Sequence, residues 1–419
     1  MKNRLNKDQK WGISLLIASK AFERLAFYSL VTVLIQYLTE FLTLEGNTLE
    51  VMYYYSTFYA VIGVATVLSG YLGDVIDRIK VVKTGFILMT IMYLAIVFMP
   101  NINVVILLLL IALGVGIGFI TPNIVVFLGN IYNENGTQIK GLPGFLLFHI
   151  TINIGAFIAP LLSIYLKNNF GYSSVFIFAF ILVLLSYILF LQFKNHYNKL
   201  NINTQETPTV ESESSKSLNK LILVPILVFA FFIWFVLGQK GAALAAVARD
   251  YLGEAFKLDK SLSIAGISIS VITILVFVMA LIHIKKLNWS SVFNVIIIGL
   301  LFPIFAFILL ATIGSISQFM SGNINFAQYI LIPIVISETL LLPVFTYSVY
   351  RCSPEKHKGL YQGVLYIILG IGGGSVAMGL VPYEAIGSLM FIILAMVLII
   401  AVVLIMVLKK VVNKKLNEL

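Results

Sequence analysis

The stretch NHYNKLNINTQETPTVESESSKSLNK, residues 195–220, determines how the chain is divided. It is rich in Asn, Ser, Thr and Glu, a composition typical of a flexible linker. Long apolar segments lie on both sides of it, and the two flanking parts are nearly equal in length. The stretch therefore predicts two halves, residues 1–194 and 221–419, joined by a cytoplasmic linker over 195–220.

Composition places both halves in a membrane. Hydrophobic residues make up 60% of the 419 residues and charged residues 11%, whereas a soluble domain has about 45–50% apolar and about 25% charged residues. About 20 apolar residues suffice to cross the hydrocarbon core. Such segments lie at 12–42, 50–75, 79–99, 103–132, 142–167, 173–194, 219–248, 261–284, 290–314, 327–350, 359–382 and 385–411.

These segments predict an all-α membrane protein with twelve transmembrane helices in two six-helix halves. Such a layout is typical of transporters whose halves move around a site near the bilayer midplane. The single cysteine, Cys352, excludes a disulfide framework and a cysteine-based metal site. We find no catalytic motif and expect neither an enzyme nor a cofactor.

The distribution of basic residues predicts the orientation. Most of the 28 Lys and Arg residues fall in segments that are cytoplasmic if both termini are cytoplasmic, as the positive-inside rule requires. The net charge of +10 then reflects topology and anionic lipid rather than a nucleic-acid partner. We expect a multi-pass protein of a bacterial inner membrane, and a monomer.

The stretch SKAFERLAFY, residues 19–28, places three charges inside the first predicted span: Lys20, Glu23 and Arg24. A charge near the bilayer centre costs at least ~2.5–3.5 kcal/mol, so such residues are candidates for function. Lys20, Arg24 and Tyr28 recur every four residues and share one helix face. Because two cations on one face repel each other, they need an anion beside or opposite them.

Three further ionisable residues lie inside predicted spans: Lys240, Glu338 and His149. The spans then hold three cations against two carboxylates. Three explanations of this charge imbalance are open: a substrate anion balances the third cation, Lys240 extends to the extracellular end of its span, or one lysine is neutral. His149 either titrates near physiological pH or packs as a neutral side chain. A static ion-pair cluster that holds the halves together is the alternative to a binding cavity.

The segment FERLAFY, residues 22–28, resembles the first-helix motif E-x-x-E-R-F-x-Y-Y of the proton-dependent oligopeptide transporter (POT) family. That family is a branch of the major facilitator superfamily. Glu23, Arg24 and Tyr28 match the motif, while Lys20 stands where the motif has its first Glu.

Other segments resemble family motifs in the same order along the chain. Asn153 and Glu338 match the motifs of the fifth and tenth spans, whereas Thr121, His149 and Gly238 replace a Lys, a Tyr and a Glu. The segments are GFITPNI (118–124), FHITINIGAFIAP (148–160), FFIWFVLGQKG (231–241), ISETLLLP (336–343) and SPEKHKGLYQG (353–363).

The resemblance implies a major facilitator fold and a clamp for a zwitterionic peptide. Arg24 would hold the carboxylate and Glu338 the amino group, and Asn153 would bond the peptide backbone. Tyr28 and Tyr59 would supply aromatic walls. Packing or lipid-interface roles are equally good accounts of the second-span tyrosines.

The departures from the motifs imply altered proton coupling. Lys20 and Lys240 are candidates to supply the missing lysine charge and to contact substrate. The remaining candidate proton carriers are Glu23, Glu338 and His149.

Three hypotheses follow. The first is a proton-coupled secondary transporter of di- and tripeptides that works by alternating access. The second keeps the fold but carries an organic anion or a modified amino acid, as the excess of cations favours. The third is a membrane sensor or scaffold that no longer transports, as the lost coupling residues favour.

Overall fold

The computed structural model describes residues 7–41, 48–98, 103–132, 141–197, 213–239, 287–312, 332–375 and 377–418. This part of the chain is almost entirely α-helical, with a short 3₁₀ turn at Glu355–His357. The α-helices are α1 (Lys7–Phe41), α2 (Thr48–Val75), α3 (Arg78–Phe98), α4 (Asn103–Tyr132), α5 (Leu142–Phe170), α6 (Tyr172–Tyr197), α7 (Glu213–Gly238), α8 (Trp289–Ala311), α9 (Ile332–Cys352), α10 (Lys358–Gly374), α11 (Ala377–Ile386) and α12 (Leu389–Asn417).

Ten of the described helices are long and apolar enough to cross a membrane, by length and composition. They correspond to ten of the twelve predicted spans and confirm the prediction of an all-α membrane protein. The predicted span 261–284 lies outside the described residues. The predicted span 359–382 is not one continuous helix, because α10 ends at Gly374 and α11 begins at Ala377. The sequence GIGGGS (370–375) accounts for the break, since glycine is a poor helix former.

The helices group into two compact units that do not follow chain order strictly. Unit 1 contains residues 1–133, 151–209 and 353–367, and unit 2 contains residues 134–150, 210–352 and 368–419. Helices α5 and α10 therefore each contribute to both units. The predicted division into 1–194, 195–220 and 221–419 stays a prediction. Both ends of the predicted linker are helical, because α6 continues to Tyr197 and α7 begins at Glu213.

Unit 1 is built around α4, whose glycines allow other helices to approach closely. A Cβ at Gly118 would lie 2.5 Å from the Cβ of Ala65 on α2, and a Cβ at Gly116 would lie 2.9 Å from Cγ of Met89 on α3. Small residues permit such contact in membranes, where packing replaces the hydrophobic effect as the force between helices. The segment GVGIG (114–118) therefore serves close helix packing.

A polar network at the start of α10 belongs to unit 1. Asp74 accepts hydrogen bonds from the backbone N–H groups of Gly359 (2.9 Å) and Leu360 (2.8 Å). Its Oδ1 lies 2.5 Å from Nη2 of Arg78, and Arg78 donates through Nη1 to Asn123 at 2.7 Å. A carboxylate at a helix N-terminus satisfies orphan N–H groups and complements the helix dipole. Asp74 therefore ties α2, α3 and the first turn of α10 together.

Unit 2 is organised around α9, the most deeply buried of the spanning helices. It packs against α7 and α8, and α8 also packs along α12. A Cβ at Gly299 of α8 would lie 2.7 Å from Cδ2 of Leu341 on α9. Pro343 lies inside α9, where it removes one backbone donor from the helix. The helix that carries Glu338 is thus enclosed, and it lacks one backbone donor five residues beyond that residue.

Candidate functional site

Three charged side chains of α1, Lys20, Glu23 and Arg24, form one cluster inside unit 1, called the charge cluster below. Nζ of Lys20 lies 2.7 Å from Oε2 of Glu23. Arg24 donates through Nε to Oε2 at 2.8 Å and through Nη2 to Oε1 at 2.5 Å. Lys20 and Glu23 are 1% and 0% exposed, whereas the Arg24 side chain keeps 12% of its surface exposed. With all three groups ionised, two cations share one carboxylate and one positive charge is left over.

The ammonium of Lys20 also reaches α4. It donates to Oγ1 of Thr121 at 3.1 Å, and the Thr121 hydroxyl donates to the carbonyl of Ile117 at 3.3 Å. Thr121 stands where the resembled motif has a Lys, and Lys20 stands where it has a Glu. Lys20 and Thr121 are neighbours in space, so a lysine side chain is present at this place but comes from α1 instead of α4. Both departures are visible in the sequence, but their proximity is not.

Aromatic rings surround the Arg24 side chain. Its guanidinium lies 4.6 Å from the centroid of the Phe27 ring, a distance typical of a cation–π contact. Phe27 packs against Tyr28 (5.2 Å), Tyr59 (6.3 Å) and Phe58 (6.4 Å, all between centroids). The structure therefore brings both predicted tyrosines close to Arg24. Sequence reasoning missed Phe58, because a phenylalanine in an apolar span carries no signal of its own.

Asn153 lies half-buried on α5, within unit 1. Two residues further on, a Cβ at Gly155 would lie 3.4 Å from the carbonyl oxygen of Ala21 and 3.8 Å from the Cβ of Arg24. These are ordinary van der Waals distances, so α5 packs against α1 beside the charge cluster at this position. This contact puts Asn153 on the segment next to the cluster, and its role in binding stays a prediction.

His149 and Glu338 lie in unit 2. His149 is buried, and its Nε2 is 3.1 Å from Oγ1 of Thr346. The Thr346 hydroxyl lies 3.0 Å from the carbonyls of Leu342 and Pro343, to which it donates. The direction of the hydrogen bond between Nε2 and Oγ1 depends on the histidine tautomer. Glu338 is half-buried on the same helix as Thr346, so α9 links two candidate proton carriers.

The predicted residues thus fall into two groups. Lys20, Glu23, Arg24, Tyr28 and Tyr59 come together in unit 1, next to the helix segment that carries Asn153. His149 of α5 and Glu338 of α9 both lie in unit 2, where His149 contacts Thr346 of α9. Lys240 lies outside the described residues.

Long apolar helices in two units, with ionisable side chains buried among them, are typical of a polytopic membrane protein. The chain belongs to the Major Facilitator Superfamily, whose family profile matches residues 16–375. The predicted fold class is therefore confirmed, and the charge cluster lies within the matched region.

Among curated proteins, the chain is similar to dipeptide and tripeptide permease A of Enterobacter sp. (strain 638), with 23% identity over 243 residues. The match covers 57% of this chain and 46% of the permease, so the chain spans about half the length of the curated relative it matches. The name of this relative agrees with the resemblance to the POT family that the motifs indicate.

Two solved structures share the fold. A POT family transporter in complex with a thioalcohol-conjugated peptide has a TM-score of 0.61 at 17% identity, with 96% of each chain covered. The human organic anion transporter TETRAN has a TM-score of 0.71 at 12% identity, with 96% of this chain and all of that chain covered. These identities establish the fold alone and do not discriminate between the substrates.

Proposed function

We propose that this protein is a secondary active transporter of di- and tripeptides that works by alternating access and is coupled to protons. The names of the curated relatives and the family motifs support the substrate class. The observation that carries the proposal is the charge cluster, in which two basic side chains share one carboxylate inside a span. Its Arg24 guanidinium is the most exposed member, and a guanidinium fork suits a carboxylate.

The proposed roles follow the clamp for a zwitterion. Arg24 binds the peptide carboxylate and Glu338 binds the amino group, because a carboxylate suits an ammonium. Asn153 bonds the peptide backbone, and Tyr28 and Tyr59 line the cavity with aromatic surface. Lys240 is a further proposed contact with the substrate.

Lys20 has a different proposed role, supported by its contacts. Its ammonium is buried and donates to Glu23 and Thr121, so it acts on the substrate through the position of Glu23 and Arg24. Among the candidate proton carriers, Glu23 has both oxygens bound by cations at 2.5–2.8 Å. Taking up a proton there would break the charge cluster. Glu338 and His149 are therefore the proposed carriers.

The proposed setting is the inner membrane of a bacterium, with both termini in the cytoplasm. The concentration of Lys and Arg in the predicted cytoplasmic segments supports this orientation. The proposed partners are a small peptide, protons and bilayer lipid, and the proposed working form is a monomer.

A carrier for an organic anion or a modified amino acid is the second candidate. The second basic group of the charge cluster favours it, because with all three groups ionised an anion alone would neutralise the remaining positive charge. The two candidates differ in whether the substrate needs an amino group.

Competition for uptake in proteoliposomes separates them. The uptake of labelled dialanine is measured in the presence of a competitor, either unlabelled dialanine or N-acetyl-dialanine. The acetylated form keeps the carboxylate but lacks the charged amine. The peptide proposal expects strong competition by dialanine and weak competition by the acetylated form. Equal competition would favour the anion carrier. The variant Glu338→Gln should lose the preference, whereas Glu355→Gln, a change at an exposed carboxylate, should keep it.

A further inference from the structure

Six lysines gather at one end of unit 2 and are called the lysine patch below. They lie in the first turns of α7 and the last turns of α12, and they are Lys216, Lys220, Lys409, Lys410, Lys414 and Lys415. Helices α7 and α12 pack against each other. Lys415 donates to Oγ of Ser217 on α7, and Lys409 donates to Oδ1 of Asn294 on α8 at 2.6 Å. These contacts hold the lysine-bearing ends of the two helices together, beside α8.

The lysine patch lies where both helices leave the apolar part of the membrane. In α12, an uninterrupted apolar run extends from Leu389 to Leu408. At 1.5 Å per residue this run is about 30 Å long, the thickness of the hydrocarbon core. Lys409 follows the run directly, and Lys220 directly precedes the apolar run of α7, which begins at Leu221. The lysines therefore lie at the level of the lipid headgroups.

The charge of the lysine patch is not balanced by carboxylates in the part of the chain that the structure describes. The described ion pairs involve other basic residues. The partners of Lys409 and Lys415 are a neutral amide and a neutral hydroxyl, so they orient the ammonium groups without removing charge. In the described parts of these two helix ends, six lysines stand against two carboxylates, Glu213 and Glu418. Because like charges repel, this arrangement favours a bound anion.

Exposed apolar side chains continue from the lysines along both helices. Val224 is 60% exposed and follows Lys220 by four residues, so the two share one face of α7. On α12, Val407 and Val411 are 53% and 46% exposed and lie seven and three residues before Lys414, again on one face. In a bilayer such valines contact acyl chains. A ligand with an anionic head and apolar chains matches both parts of this surface.

We propose that the lysine patch and the exposed valines of α7 and α12 form a binding site for an anionic phospholipid. Basic sites between transmembrane helices at the membrane surface bind anionic headgroups. Lys220, Lys410 and Lys414 are exposed and contact the phosphodiester. The positive-inside rule accounts for lysines on this side of the membrane, but not for their convergence from two packed helices. The site gives the bilayer lipid, proposed above as a partner, a defined place on the protein.

The test is thermal unfolding of the purified protein in detergent, titrated with dioctanoyl phosphatidylglycerol or with dioctanoyl phosphatidylcholine. The two lipids have the same chains, but only phosphatidylglycerol has a net negative charge. It should raise the unfolding midpoint of the wild type saturably and more than phosphatidylcholine does, because a ligand that binds only the folded state stabilises it. In Lys220→Gln/Lys410→Gln/Lys414→Gln, the lipid concentration at half response should rise at least tenfold, since each lysine near the headgroup strengthens binding.

The matched control, Lys7→Gln/Lys10→Gln/Lys80→Gln, removes three exposed lysines of unit 1 and should respond as the wild type does. An equal loss of response in both triple variants would reduce the effect to overall charge and refute the site. Equal responses of the wild type to the two lipids would also refute it, and this comparison needs no variant to fold.

A further arm replaces the lipid by inorganic phosphate at the same concentrations. A rise equal to that with phosphatidylglycerol would assign the lysine patch to a soluble anion and reject the lipid. No transport is measured in any arm, so failure of the lipid site is distinguishable from failure of the proposed function.

Discussion

Exchanging residues 20 and 121 tests whether the charge cluster works as the geometry indicates. The double variant Lys20→Thr/Thr121→Lys moves the lysine from α1 to α4, and the two single variants complete a double-mutant cycle. The exchange is feasible because Nζ of Lys20 already lies 3.1 Å from Oγ1 of Thr121. A lysine rooted at position 121 would therefore begin beside the place that the ammonium now occupies, next to Glu23.

The single variants should each be severely impaired. Lys20→Thr removes one partner of a buried ion pair, a change that typically costs about 3–5 kcal/mol. The remaining bond to Arg24 places this variant at the lower end. Thr121→Lys puts a second ammonium beside the first. For two ammonium groups ~4 Å apart, the repulsion is about 4 kcal/mol at an effective dielectric constant of ~20.

The assay is uptake of labelled dialanine in proteoliposomes, together with the unfolding midpoint in detergent. We expect more than about a tenfold loss of uptake in each single variant, because about 1.4 kcal/mol corresponds to a factor of ten. The exchanged variant should recover to within about tenfold of the wild type.

A control with the same composition, Lys20→Thr/Thr84→Lys, puts the lysine on an exposed position of α3 and should not recover. If the exchanged variant is folded but no more active than the worse single variant, positions 20 and 121 do not share the role assigned to them.

Two further predictions concern the polar contacts of the two units. Asp74→Asn loses the ion pair with Arg78 and weakens the cap of α10. The free energy of unfolding should therefore fall by about 2 kcal/mol, and the unfolding midpoint with it. An unchanged midpoint in detergent would contradict the role of Asp74 in that network. His149→Gln keeps a hydrogen-bonding side chain beside Thr346 but cannot titrate, so it should preserve the midpoint and alter the pH dependence of dialanine uptake. His149→Leu should lower both the midpoint and the uptake, and a pH profile of the Gln variant equal to that of the wild type would make His149 a packing residue.

Charges within spans were the most informative part of the sequence. Glu23 follows Lys20 by three residues, a spacing that brings side chains together on a helix, and the two are in contact at 2.7 Å. The contact from Lys20 to Thr121 could not be derived, because it depends on how α1 packs against α4. The same holds for Phe58, whose position beside Phe27 is a property of the α1 and α2 pair.

Helix ends were harder to predict than helix existence. The polar stretch 195–220 was expected to be a linker throughout, yet α7 begins at Glu213. Polar residues such as Glu, Ser and Lys are tolerated in a helix that extends beyond the membrane, so hydropathy alone does not locate its first turn. Conversely, the predicted span 359–382 is interrupted at Ser375, where local glycine content overrides an apolar pattern.

Uptake of labelled dialanine into proteoliposomes, with and without an inward proton gradient, tests the central claim most directly. The account predicts that the gradient accelerates uptake in the wild type and in Glu355→Gln. In Glu338→Gln, uptake should no longer respond to the gradient. Uptake that ignores the gradient would reject proton coupling while keeping the peptide site. Absence of dialanine uptake in folded, reconstituted protein under both conditions would contradict the proposed peptide transport.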